Sequence, residues 1–407
     1  MENSGIKVYA YRWVVLGAFM AINLTIQVLW ICFAPIGGPA AQYYQVSDMR
    51  IGFLAMVFMV VYIPAAIPAS WLIDRWGLYK GVGLGAVLLG VFGLLRAFFA
   101  RDYNLVMACT VGIALAQPLL LNSYTTLAAK WFPQNERASA SGLAMAANFI
   151  GTTIGLMLTP YLTTRFGIQS MQTIYGVAAA LSALAFLALA RERPPTPPGP
   201  SEEDDRPPML DSLKTILRRR EAWLGMFIFF VGVGVFNGLA TWIENIVRPK
   251  GLNIEQAGIV GGMLLIGGIV GAAVIPALSD RYRRRKPFML LGMICAIPGL
   301  VGFTFFNDYH LLLLSVFVLG FFMMGLGPVG YQYGAEITYP APEGASNGLF
   351  VLAGQLSVVF IFGMEAIKDR FGSFTPSLLL GVGLMVIDCI LISRLKESAG
   401  PATRPGA

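Results

Sequence analysis

Uncharged hydrogen-bonding side chains and aromatic rings recur inside long apolar runs of this 407-residue chain. Asn23, Gln27 and Trp30 share one run, Gln117 and Asn122 another, and Asn148 and Thr152 a third. Asn237, Thr241 and Trp242 follow in the second half, then Tyr331, Gln332 and Tyr333, and then Gln355. Such groups bind rather than react. No nucleophile stands beside a base, no His/Cys/Asp/Glu cluster has metal-ligand spacing, and no phosphate-cradling glycine loop occurs. The expectation is a protein that is not an enzyme and uses no cofactor and no metal. Aromatic faces attract alkylated ammonium through the ring quadrupole, by about 0.5–2 kcal/mol each. A ring- and amide-lined hollow without charge therefore suits an organic cation or a flat aromatic metabolite. Any single amide serves equally well as packing glue between helices.

The elements that must position these groups are membrane helices. Apolar residues make up 56% of the chain and charged ones 13%, with 27 Phe, 18 Met and 46 Gly; soluble domains carry nearly twice that charged share. Taking apolar runs against breaks, the spans fall near 13–36, 51–73, 81–100, 104–128, 137–162 and 169–190, then 222–247, 256–277, 287–306, 310–334, 344–367 and 374–394. Each is long enough for a hydrocarbon core about 30 Å thick. The fold expected is all-α, with twelve transmembrane helices in two six-helix bundles related by a pseudo-two-fold axis. The bundles cover 1–190 and 222–407, joined by a Pro- and charge-rich cytoplasmic linker at 191–221. Asp211–Arg220 reads as a short amphipathic helix on the membrane surface. The four cysteines lie inside apolar runs and read as packing.

The net charge of +7 does not point to nucleic acid, because its distribution is topological. With the N-terminus inside, cytoplasmic segments hold 21 of the 29 Lys and Arg, as the positive-inside rule requires. Both termini are then cytoplasmic, and the compact loops read as those of a bacterial inner-membrane protein. The partners expected are a small-molecule substrate and the lipid bilayer, with the chain a monomer.

The halves repeat. Pro133 and Pro340 lie 207 residues apart, as do Glu136 and Glu343; Arg165-Phe166-Gly167 and Arg370-Phe371-Gly372 are 205 apart, and Asp74-Arg75 and Asp280-Arg281 are 206 apart. A near-constant shift of 205 to 207 over three landmarks marks a two-bundle transporter built from parallel repeats.

The Asp-Arg step after the second and eighth helices resembles the loop motif of the major facilitator superfamily. Within it, YRWVVLGAF, IQVLWICFAPI, PASWLIDRWG and EITYPAPEGASNGL are similar to the feline leukemia virus subgroup C receptor-related transporters. That resemblance implies choline, ethanolamine, haem or pyridoxine as cargo. It aligns Trp30 with a choline-capping tryptophan and Gln355 with a cavity glutamine. The family's fifth-helix glutamine falls at Phe149, beside Asn148, and its seventh-helix tyrosine at Phe236 or Asn237, which puts choline itself in question. The superfamily's usual cavity helices are the first, fourth, fifth, seventh, tenth and eleventh, where the polar groups above are found. It also implies a gate: Asp74 facing the start of the eleventh helix near Glu343, and Asp280 facing that of the fifth near Glu136-Arg137, with Arg75 and Arg281 in the same loops. A carboxylate opposite a helix N-terminus is favourable.

Charged residues sit away from the midplane. Glu244, four residues before Arg248, reads as an interfacial ion pair, with proton or ion coupling as the alternative. Arg96 and Glu365 fall near the outer surface and Asp388 near the inner end of the last helix. Gly151 and Gly155 read as sites of close helix approach. The chain is thus expected to be a secondary or facilitative carrier of a small amine or aromatic metabolite, working by alternating access. An organic-anion or monocarboxylate porter is the alternative, short of a central Arg or Lys. A non-transporting receptor is the alternative from another class; the short tails, 1–11 and 396–407, hold no signalling domain.

Overall fold

The computed structural model describes residues 8–133, 136–196, 214–338 and 343–397, with only the backbone of 138 and 343–345. The chain divides into two compact units, Met1–Asp204 and Asp205–Ala407. No strand occurs among the described residues. Most of the linker, and residues 211–213 of the expected surface helix, lie outside them. The remainder of that helix is a turn at 214–217, whose Ile216 packs on Ala222 and Leu349.

Unit 1 runs α1 (Arg12–Ile31), α2 (Gly37–Tyr44), α3 (Asp48–Trp76), α4 (Leu78–Phe98), α5 (Tyr103–Leu121), α6 (Tyr124–Trp131) and α7 (Arg137–Leu189). At about 1.5 Å per residue, α7 as one rod would span more than twice the hydrocarbon core. It doubles back at Gly167, whose φ of +80° only glycine adopts without strain. Unit 2 runs α8 (Arg220–Thr241), α9 (Ile243–Val247), α10 (Ile254–Tyr282), α11 (Lys286–Phe305), α12 (Tyr309–Thr338), α13 (Glu343–Leu356), α14 (Val358–Phe371) and α15 (Thr375–Arg394). The corner after α14 is again a positive-φ glycine, Gly372 at +75°. The repeated Arg-Phe-Gly is therefore a backbone requirement in both halves. Eleven stretches are long and apolar enough to cross a membrane. One, Ser139–Leu189, contains the Gly167 turn and so crosses twice, giving six crossings per unit among the described residues.

Short polar caps start several of these helices in the loops. The Ser47 hydroxyl accepts from Arg50 N at 3.4 Å, and Asp102 accepts from Asn104 N and Leu105 N at 2.8 and 3.1 Å. Asn253 and Gln256 form a reciprocal capping box at the start of α10.

Without a hydrophobic driving force between helices in lipid, close backbone approach does the work. In unit 1, α1 lies on the first limb of α7. A Cβ on Gly151 would collide with Leu24 O, and one on Gly155 would sit 2.5 Å from Ile31 Cγ2. Both glycines pack as their spacing predicts. In unit 2, α10 and α12 meet backbone to backbone through Gly267, Gly271 and Gly320.

Four crossings are interrupted. The first breaks between Ile31 and Gly37 around a 3₁₀ turn containing Pro35; the second break follows Pro118 at Asn122-Ser123, and the others fall at Trp242 and Ser357. Trp30, Asn122, Trp242 and Gln355 all sit at or within two residues of a break.

Candidate functional site

The unit 1 amides are joined, not scattered. Gln27 Nε2 donates to Asn148 Oδ1 at 3.0 Å, Asn148 Nδ2 donates to the Tyr124 hydroxyl, and that hydroxyl donates to Asn23 Oδ1 at 2.9 Å. Asn23 Nδ2 closes the chain on Phe19 O at 2.9 Å. Tyr124 also meets the Phe19 ring edge-on at 5.6 Å. Thr152 returns its hydroxyl to Asn148 O and Thr153 to Phe149 O, so Phe149 lies one position from the network, half-buried. Trp30 is 8% exposed, its indole N–H fixed on Ala55 O at 3.2 Å. Gln117 is buried, and its Oε1 has no hydrogen-bond donor.

Asn122 belongs to a different cluster. It accepts from Tyr62 at 2.7 Å and donates to Ser70 Oγ at 2.9 Å and Ala66 O at 3.2 Å. Both ends of its amide are thus spent holding α3 against the α5–α6 break. Tyr62 and Tyr124 were missed from sequence, because a tyrosine in an apolar run looks the same whether it packs or hydrogen-bonds.

In unit 2, Asn237 and Thr241 are buried on α8, and Thr241 Oγ1 has no partner atom. Phe236 beside them is half-buried. Gln355 is half-buried at the end of α13, two residues before the break. Trp242, at 1% exposure, with its N–H on Ile361 O at 3.1 Å and its ring 5.8 Å from Phe374, ties α8 to α14. It offers no open ring face.

Several charged groups form pairs near helix ends. Arg248 clasps Glu244 through both carboxylate oxygens, at 2.7 and 2.5 Å, a fit that suits an ion pair better than a proton carrier. Lys368 meets Glu365 at 2.9 Å and Arg12 meets Glu136 at 3.1 Å. Arg96, in the last turn of α4, is 1% exposed, donates to Leu29 O at 3.0 Å and lies 5.6 Å from the Phe33 ring. There it meets the carbonyls left unpaired where α1 stops, the end of the helix that favours a cation.

At the loops, Asp74 and Arg75 are exposed, with Arg75 over the Trp71 ring at 5.2 Å. Glu343's side chain lies outside the described residues. Within its own unit Asp280 pairs with Arg285, a partner not assigned from sequence, while Arg281 is exposed and Arg137 donates to Phe132 O at 3.3 Å. Arg285 also meets Glu336 at 3.3 Å.

Sequence reading also overlooked a second repeated device. Glu192 accepts from Leu78 N and Tyr79 N at 3.1 and 2.6 Å, capping α4, and pairs with Lys130. Glu397 accepts from Arg285 N and Lys286 N at 2.7 and 3.1 Å, capping α11. The two glutamates lie 205 residues apart, each after a basic residue (Arg191, Lys396), and that offset was the available signal. Partial burial opposes the charge on Glu192, but Lys130 and the two backbone N–H groups outweigh it and hold the carboxyl below its ordinary 4.5. A carboxyl depressed on folding stabilises the fold fully above 4.5, and that contribution fades as pH falls through the folded value. Glu192→Gln is expected to cost about 1 kcal/mol at pH 7 and less at pH 3. Thermal unfolding at the two pH values checks this; an equal gap at both would contradict it.

Two units of six apolar crossings, with amides gathered at broken helices, define a polytopic membrane transporter. The chain belongs to the Major Facilitator Superfamily, whose sequence profile matches residues 14–362. It is 29% identical to solute carrier family 49 member A3 of Xenopus tropicalis over 391 residues, covering 91% of this chain and 81% of that one. It is 28% identical to the choline/ethanolamine transporter FLVCR2 of Rattus norvegicus, over 94% and 74% of the respective chains. In fold it is similar to a bacterial homolog of the human lysosomal transporter Spinster, solved inward-facing and unoccupied. That likeness has a TM-score of 0.73 at 15% identity, over 95% of this chain and 97% of that one.

Proposed function

We propose that this transporter carries a small organic amine or amine-bearing aromatic metabolite, choline-like or ethanolamine-like, by alternating access. The observation that carries the reading is the uncharged network of Gln27, Asn148, Tyr124 and Asn23 in unit 1, whose first helix also carries the Trp30 ring. An acceptor-rich, ring-bearing set meets a cation's needs and gives an anion little to hold. Relatives named as choline/ethanolamine transporters support it. We also propose, from the Lys and Arg distribution, that both termini lie on the cytoplasmic side. We assign gating roles to Asp74, Arg75, Arg137, Asp280 and Arg281.

An organic-anion porter is the second reading. Arg96 favours it as a buried guanidinium with no carboxylate partner among the described residues. It ranks lower because Arg96 is already engaged by Leu29 O, the Cys32 sulfur and the Phe33 ring.

The test is a thermal-shift screen of the purified protein with ethanolamine, choline, pyridoxine and short carboxylates. A ligand that binds only the folded state raises its apparent stability. An amine is expected to raise Tm, and Trp30→Ala and Gln355→Ala to lose the shift. A response to carboxylates alone would install the anion reading. Counterflow of the labelled ligand in proteoliposomes then separates a carrier from a receptor.

A further inference from the structure

The hydrogen-bond chain in unit 1 has a direction, and the direction selects a ligand. Its start is Phe19 O, a backbone carbonyl that only accepts. Asn23 must therefore turn its NH₂ toward Phe19 and its Oδ1 toward Tyr124. A phenol has one proton, and Tyr124 spends it on that Oδ1. Its oxygen is then an acceptor only, so Asn148 must turn its own NH₂ to Tyr124 and its Oδ1 to Gln27. Gln27 in turn must give its NH₂ to Asn148. Each amide is oriented by the one before it. What emerges at the far end is Gln27 Oε1, an acceptor with no donor among the described residues and not one of the sealed polar atoms.

We propose that Tyr124, with Asn23 and Asn148 beside it, is a positioning residue that locks the Gln27 amide with its oxygen outward, and so favours ligands presenting N–H donors, primary ammonium over quaternary. The proposal rests on the amine reading above. A primary ammonium donates a charge-assisted hydrogen bond to such an oxygen, whereas a trimethylammonium has no N–H to donate. Without the phenol proton Asn23 no longer dictates the orientation of Asn148, both flips of the Gln27 amide become available, and an NH₂ group can meet the ligand instead.

Ethanolamine and choline differ only in the three N-methyl groups, which makes them the probes. Affinities are read by thermal shift on the full chain. The wild type is expected to bind ethanolamine at least as tightly as choline. Tyr124→Phe should weaken ethanolamine about tenfold and leave choline within about twofold. Gln27→Met, which removes the final oxygen, should do the same. The double variant should lose no more than either single one, because both act through one atom. Should Tyr124→Phe not fold, Asn148→Leu interrupts the chain one link later and takes its place in the cycle. Equal losses for both amines, additive losses, no loss, or a wild type that takes choline and not ethanolamine would overturn the proposal while the amine reading stands. A wild type that binds neither amine overturns both.

Discussion

Gly271→Val is expected to lower the Tm of the detergent-purified protein by about 10 °C. A Cβ at Gly271 would fall inside the contact radius of Phe321 O, and the facing Gly320 has the same relation to Leu264 O. These neighbours are backbone, so no side chain can rotate away and α10 and α12 must separate. Overpacking of this kind costs about 3 kcal/mol or more, and for a unit of this size each kcal/mol moves Tm by roughly 2–4 °C. Gly327→Val on the same α12 is the control, since nothing lies within 4 Å of its Cβ position. Equal Tm values for the two variants would remove the close crossing. Gly267, Gly271 and Gly320 correspond, 206 residues earlier, to Val61, Ala65 and Ala114. The glycine crossing therefore belongs to the second half and not to the repeat.

Arg248→Met is expected to destabilise the protein by about 2 kcal/mol or more, and Glu244→Gln/Arg248→Met to recover most of that loss. Glu244's side chain is 4% exposed while that of Arg248 is 44% exposed. Taking away the cation leaves a nearly buried carboxylate with its counter-charge gone, which costs more than the intact pair contributes. Water reaching the arginine side keeps the figure below that for a fully enclosed pair. Neutralising both partners removes the stranded charge. The measurement is a double-mutant cycle by thermal or denaturant unfolding; a double variant no more stable than Arg248→Met would show that the two residues act separately.

The spans, the Arg-Phe-Gly corners and the Glu244–Arg248 pair were legible because each follows from rules local in sequence. Apolar runs declare membrane helices, a Gly after Arg-Phe declares a corner, and Glu244 with Arg248 is one helical turn apart. The polar residues of the site were legible as a set and not by role. Asn122 and Asn148 look alike in the sequence, yet one is consumed by Tyr62, Ala66 and Ser70 while the other passes orientation to Gln27. Trp30 and Trp242 both read as ligand-facing rings, and the second is sealed against Ile361 and Phe374. The place of Arg96 near the end of a span says nothing of the broken helix whose Leu29 carbonyl it meets.

Fold class and the membrane setting were thus readable from the chain alone, because transfer from water to hydrocarbon is a property of composition and run length. Which polar atom is spent and which is left open was decided only in three dimensions. A hydrogen bond depends on a partner some 20 to 120 positions away in the chain, as Tyr124 to Asn148 and Gln27 to Asn148 are. No local pattern encodes the direction in which an amide turns.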